Sequence, residues 1–202
     1  MQLVVLTNQS LKEELLANAD LTIQDITWLD DISQLSQHKH ADAFIDLLFV
    51  KDHISILESM LPKTIIINSV IDTIAETNES FVRINAWPGF LQSTTIEASA
   101  LQKERKSEAE NIFSLFNREM EWLPDQPGFV TPRVISMIIN EAFISLREGV
   151  STKEDIDTAM RLGTNYPYGP FEWADKIGIQ NIISLLQKLS KHHARYTPFI
   201  SS

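Results

Sequence analysis

The side chains in this 202-residue sequence that could do chemistry are five histidines, 27 carboxylates and a few isolated arginines, because there is no cysteine. Thiol nucleophiles, thiolate metal sites and disulfides are excluded together. An imidazole held by a carboxylate can move a proton near neutral pH. No histidine here has an Asp or Glu at a spacing that marks such a pair or a metal site. His38 and His40 fall in a polar loop, and His192 and His193 in the C-terminal segment, all read as surface positions. His53 follows Phe49-Val-Lys-Asp52 near the start of a helix, where a ligand could approach the ends of parallel strands. Arg83 and Arg133 are candidate contacts for a carboxylate or phosphate. Glu97, near a strand end, reads on its own as a capping or ion-pair residue.

The elements that must position these groups alternate in type. Leu3-Val-Val-Leu6 is a short apolar run that predicts a buried strand. Ser10 and Glu13 match a capping box opening a helix whose buried face is Leu11, Leu15 and Leu16. Ala41–Val50 predicts a second strand, Asp52–Leu61 a helix stopped by Pro62, and Thr64–Asn68 a third, fully buried strand. Weaker strands are expected at 81–86, 93–99 and 119–123, with an amphipathic helix over about 101–117. Near-continuous apolar strands alternating with helices imply a parallel sheet. From Pro132 onward Val134, Ile138, Ala142, Ile156, Ala159 and Met160 recur at helical spacing, and Ile179–Lys191 predicts a last helix. Ser151 and Glu154 match a further capping box. The expected organisation is α/β: a shortened, mostly parallel Rossmann-like sheet over residues 1–125, then a small all-α domain over 126–202.

Composition limits the partners. Hydrophobic residues make up 44% and charged residues 22%, as in globular domains, and the net charge of −10 argues against nucleic-acid or anionic-membrane partners. No apolar run approaches the roughly 20 residues that span a bilayer. The expectation is a soluble, cytoplasmic protein without a resident metal.

Half of the six glycines fall within Gly163-Thr-Asn-Tyr-Pro-Tyr-Gly-Pro-Phe-Glu-Trp-Ala-Asp-Lys-Ile-Gly178. Pro167 and Pro170 fix their own φ, while the glycines can take left-handed turns, so an ordered connector packed by Tyr166, Tyr168, Phe171 and Trp173 is expected. Together with Ser151–Leu162, this stretch closely resembles the C-terminal domain of the 3-hydroxyacyl-CoA dehydrogenases. Pro127-Gly-Phe-Val-Thr-Pro-Arg133 resembles that family's linker motif, and Arg195-Tyr-Thr-Pro198 its ending.

The resemblance implies an NAD-dependent oxidoreductase of fatty-acid and acyl-CoA metabolism that dimerises through its helical domain. The residues depart from that pattern where its chemistry lies. A dinucleotide-binding turn needs glycine for the pyrophosphate to approach a helix N-terminus, yet the first glycine here is Gly89, and the turn is Thr7-Asn-Gln-Ser10. Glu13 and Glu14 are expected to fill that anion site with the protein's own charge. Ile84 stands where the family's catalytic His is expected, Pro132 where the linker Asn is expected, and near the family's Ser only Ser69 is available. Glu97 alone matches a family position, that of the His-orienting carboxylate. No bound cofactor is expected, NAD entering by resemblance only. The implied function is a 3-hydroxyacyl-CoA dehydrogenase relative with lost or much reduced activity. The alternatives are a non-catalytic homodimer binding an acyl thioester, such as an acyl-CoA, or a protein; and an α/β protein whose cleft is rebuilt for an unrelated small ligand.

Overall fold

The computed structural model describes residues 1–19 and 25–200. It divides into two compact units, Met1–Phe129 and Val130–Ser202.

The first unit is built on a seven-stranded sheet. Its strands are β1 (Leu3–Leu6), β2 (Ile26–Leu29), β3 (Ala43–Asp46), β4 (Thr64–Asn68), β5 (Val82–Ile84), β6 (Thr95–Ser99) and β7 (Glu119–Trp122), in the order β2-β1-β3-β4-β5-β6-β7. All neighbouring pairs are parallel except β5 and β6. The chain steps from β1 outward to β2 and returns past β1 to β3, so the direction of winding reverses at β1. Crevices at the strand ends beside such a reversal are where α/β sheets bind ligands.

Helices cover both faces, which is why the central strands are apolar on both sides. On one face Leu11 and Leu15 of α1 (Gln9–Leu16) and Ala109, Ile112 and Phe113 of α3 (Lys103–Ser114) pack on Leu3, Val5, Ile45, Ile66 and Ile84. On the other, Leu35 from a 3-10 turn (Ile32–His38), Leu57 of α2 (Ile54–Glu58) and Met60 pack on Val4, Leu6, Phe44, Ile65 and Ile67. The alternation of Val4 and Leu6 against Leu3 and Val5 is the two-residue period of a strand.

Two local expectations are corrected. The cap of α1 is Asn8, whose Oδ1 accepts from the Leu11 amide at 2.9 Å; Ser10 lies within the helix. β2, and the 3-10 turn that carries His38, were not expected from the sequence. β2 is a four-residue edge strand with only Leu29 buried, so neither length nor alternation marks it.

Among its described residues the second unit has four α-helices, α4 (Thr131–Arg147), α5 (Lys153–Thr164), α6 (Pro170–Ile177) and α7 (Ile179–Ser190), and a 3-10 turn at Ala194–Tyr196. Ile135, Ile139, Phe171, Trp173, Ile177, Ile182, Leu185, Leu186 and Leu189 are buried in it. The ordered connector expected from 163 to 178 contains α6, because Pro170 needs no amide partner in a first turn and the Glu172 carboxylate accepts from the Gly169 amide at 2.8 Å. Gly163 belongs to α5, which ends with Asn165 in the left-handed region at φ 57°. α5 is capped by Thr152, which accepts from the Asp155 amide, one residue beyond the expected Ser151. Asn140 fastens the tail, accepting from the Phe199 amide at 2.7 Å and donating to the Thr197 carbonyl.

Candidate functional site

The N-terminal unit gathers its polar groups along the edge where the parallel strands end. After β1 the chain turns through Thr7 and Asn8 into α1. Glycine is missing from this turn, and the Asn8 carboxamide takes the Leu11 amide, one of the free donors that would otherwise face a ligand. Glu13 and Glu14 do not occupy the anion site, contrary to expectation. Glu13 accepts from Gln9 Nε2 at 2.7 Å, and Glu14 is buried, with both carboxylate oxygens 2.8 Å from the Gly89 amide. A helix repeats every 3.6 residues, so Glu14 projects back over the sheet instead of along the helix axis. The group that does take a donor at this helix end is the side chain of Asn8.

Beside this turn lies a crevice of about 480 Å³ lined by Thr7, Asn8, Gln9, Lys12, Trp28, Leu29, Asp30 and Gln34. The Lys12 ammonium sits 4.5 Å over the Trp28 ring. Asp30 follows directly on β2. It holds the place, roughly 20 residues beyond the first turn, where a dinucleotide-binding fold sets the carboxylate for a ribose hydroxyl. Sequence reasoning missed Asp30 because it missed β2. The nicotinamide cofactor that the fold implies is thus matched at its ribose carboxylate and mismatched at its pyrophosphate.

One strand over, Asp46 closes β3 between Leu6 and Ile67, and its carboxylate meets His53 Nδ1 at 2.6 Å. The Leu48 amide fixes its other oxygen at 3.0 Å. Burial among these apolar neighbours pushes the Asp46 carboxyl above the ordinary range, with His53 pulling it back. The histidine lies edge-on to Phe49. The position of His53 marks it in the sequence, but its partner does not show there because the two lie seven positions apart across a strand end and turn.

Arg83 is a structural residue, not a ligand contact. It is fully buried on β5, ion-paired to Asp125, bonded to the carbonyls of Ser69, Val70 and Gln126, and stacked 4.4 Å over Phe129. Burial lowers the affinity of its guanidinium for the proton, and Asp125 opposes that. Ser69 donates to the Asp72 carbonyl. Glu97 lies half-buried on β6, accepting from Asn85 Nδ2 at 3.1 Å. Ile84 is fully buried beside Ala98 in the β5–β6 pairing, so the position expected for an imidazole is part of the core.

In the helical unit, Pro132 is buried in the first turn of α4 and offers no amide. Arg133, Val134, Met137, Ile138 and Glu141 of α4 line an open groove of about 590 Å³ with Arg195 and Tyr196. Among the described residues no three His, Asp or Glu side chains are grouped to hold a metal, and no helix is long and apolar enough to cross a membrane.

Residues 128–199 match the family model of the 3-hydroxyacyl-CoA dehydrogenase C-terminal domain. A 3-hydroxyadipyl-CoA dehydrogenase of Escherichia coli is 50% identical over 78 residues, 38% of this chain and 16% of that protein. A 3-hydroxybutyryl-CoA dehydrogenase of Bradyrhizobium diazoefficiens is 43% identical over 76 residues, 37% of this chain and 26% of that protein. The matches thus span about a sixth to a quarter of those relatives' length. The solved (S)-3-hydroxybutyryl-CoA dehydrogenase of Ralstonia eutropha superimposes with a TM-score of 0.66 at 26% identity, covering 86% of this chain and 66% of that one. The first unit therefore has the Rossmann-like fold of those neighbours, and residues 128–199 are similar to the C-terminal domain of the 3-hydroxyacyl-CoA dehydrogenases.

Proposed function

We propose that this chain is a cytoplasmic 3-hydroxyacyl-CoA dehydrogenase relative of acyl-CoA metabolism whose NAD-dependent oxidation is lost or much reduced. The observation that carries the reading is the β1–α1 turn, where Asn8 caps the helix with its own side chain in place of glycine. A pyrophosphate there would have to displace the carboxamide and pass a Cβ. The buried Ile84 adds to it, since no imidazole can be supplied from that position. Glu97, hydrogen-bonded to Asn85, is the one catalytic-type residue retained, and without a histidine it has nothing to orient. Titration of NADH tests the reading, and no saturable binding is expected.

The fold would then serve to hold an acyl thioester such as an acyl-CoA, or a protein, as a homodimer joined through the helical unit. The apolar face of α7 is not available for that seam, since Ile182, Leu185, Leu186 and Leu189 are buried within the unit. What α4 leaves outward is Val130 and Val134, 55% and 47% exposed, continuing into half-buried Met137 and Ile138. An aspartate at Val134 should therefore convert dimers to monomers in light scattering without changing the melting temperature. Dimers that persist would count against an α4 seam.

A further inference from the structure

We propose that His53 and Asp46 form a proton-transfer dyad that hydrolyses an activated acyl group, a thioester or an aryl ester carrying a short apolar chain. The inference deepens the reading of this chain as a binder of acyl thioesters and rests on that reading for the thioester. The first observation is the state of the carboxylate. Asp46 is 1% exposed at the end of β3, with the Leu48 amide on one oxygen at 3.0 Å and His53 Nδ1 on the other at 2.6 Å. Both oxygens are committed, and the ring nitrogen facing the carboxylate carries the proton. The second observation is the opposite ring nitrogen. Nε2 then keeps its lone pair and makes no hydrogen bond among the described residues, while the side chain is 15% exposed, so the base is within reach of solvent. The third is an apolar ledge beside the base. Phe49 lies edge-on to the imidazole, and Val50, whose carbonyl accepts from the His53 amide at 2.9 Å, is 53% exposed.

These observations select the reaction. No serine or threonine among the described residues bonds to Nε2, and the chain has no cysteine, so the group that the base deprotonates comes from outside. Water is that group. Nε2 takes a proton from water as the water oxygen bonds to the acyl carbonyl carbon, and the carbonyl electron pair moves onto its oxygen. That pair returns as the carbon–sulfur bond breaks; the leaving sulfur takes the bonding pair and then the proton from Nε2. A carboxylic acid and a thiol result, nothing is oxidised or reduced, and the imidazole is restored. Asp46 is a positioning residue, holding the tautomer and stabilising the imidazolium. A base with no second proton donor suits groups that leave easily, such as a thiolate, whose conjugate acid has a pKa of about 8.5, and not amides. Phe49 and Val50 give a short acyl chain an apolar surface to cover.

The test follows hydrolysis of butyryl-CoA, read as thiol release, and of 4-nitrophenyl butyrate by the full chain, with calorimetric titration of butyryl-CoA alongside. Both substrates are expected to turn over, and His53→Gln to lower kcat for each at least 100-fold. Asp46→Asn should lower kcat at least tenfold with KM unchanged, because the amide favours the other tautomer. Nitrogen NMR of the unaltered chain reads the tautomer directly, with Nε2 expected to be the unprotonated nitrogen, and stands even where Asp46→Asn fails to fold. Circular dichroism checks the fold of each variant. Hydrolysis indifferent to His53→Gln, or the proton found on Nε2, would overturn the dyad. Butyryl-CoA bound but neither substrate hydrolysed would overturn the hydrolysis and leave the thioester-binding reading intact. Hydrolysis of the nitrophenyl ester through His53 without butyryl-CoA binding would support the dyad and refute that reading, so the two failures are told apart.

Discussion

Replacing Arg83 with methionine is expected to destabilise the N-terminal unit by roughly 3–5 kcal/mol, the cost of leaving one partner of a buried ion pair behind. The side chain of Arg83 is fully buried and that of Asp125 is 19% exposed, so water replaces the lost guanidinium only in part. The carbonyls of Ser69, Val70 and Gln126 lose their donors in the same step, and Phe129 loses the cation over its ring. These contacts tie β5 to the loop after β4 and to the segment from 125 to 129. Asp125 also accepts from the Ile74 amide, which keeps the carboxylate in place after the substitution and makes its isolation costly. Urea denaturation measures the effect. A loss under 1 kcal/mol would show that this network contributes little to holding the segment.

The second large effect is expected at Gly169. Its φ is −73°, ordinary for any residue, so backbone freedom is not what the glycine provides. It provides close approach. A Cβ there would lie 2.3 Å from Asp157 Oδ1 and 2.4 Å from Asp157 Cβ and Cγ. Asp157 is buried and accepts from the Phe171 amide at 2.8 Å, joining α5 to the first turn of α6, so it cannot withdraw without leaving that donor unsatisfied. Gly169→Ala should cost roughly 2–4 kcal/mol, overpacking and a lost buried hydrogen bond together. In a unit of this size that lowers the melting temperature by about 10 °C or more. Gly163→Ala is the control: a Cβ there meets nothing within 4 Å, and alanine in a helix gains up to about 1 kcal/mol over glycine. Equal melting of the two variants would contradict the role given to Asp157.

These two residues also show where sequence reasoning reaches and where it stops. Gly169 and its aromatic neighbours were legible as a packed, fixed stretch because proline and glycine restrict the chain locally. Its reason was not, since Asp157 comes to it through tertiary packing. Strands buried on both faces, such as Leu3–Leu6 and Thr64–Asn68, were legible as apolar runs, whereas β2, half-exposed at an edge, carried no signal. Arg83 looked like a ligand contact because an arginine between apolar residues has no local partner. Its partner lies 42 residues away. Glu14 was misassigned for a related reason: position in a first turn suggests service to the helix end, but its bond goes to Gly89, 75 residues on. The His53–Asp46 pair joins two residues that one turn of chain folds together, and no spacing rule marks it.

Calorimetric titration of NADH into the full chain, with and without acetoacetyl-CoA, tests the central claim most directly. The account predicts no saturable heat in either condition, because Asn8 blocks the path of the pyrophosphate and acyl thioester binding cannot restore it. Saturable micromolar NADH binding would contradict the account, showing that the β1–α1 turn admits a dinucleotide despite Asn8, and a turnover assay would then decide how the oxidation proceeds with isoleucine at position 84.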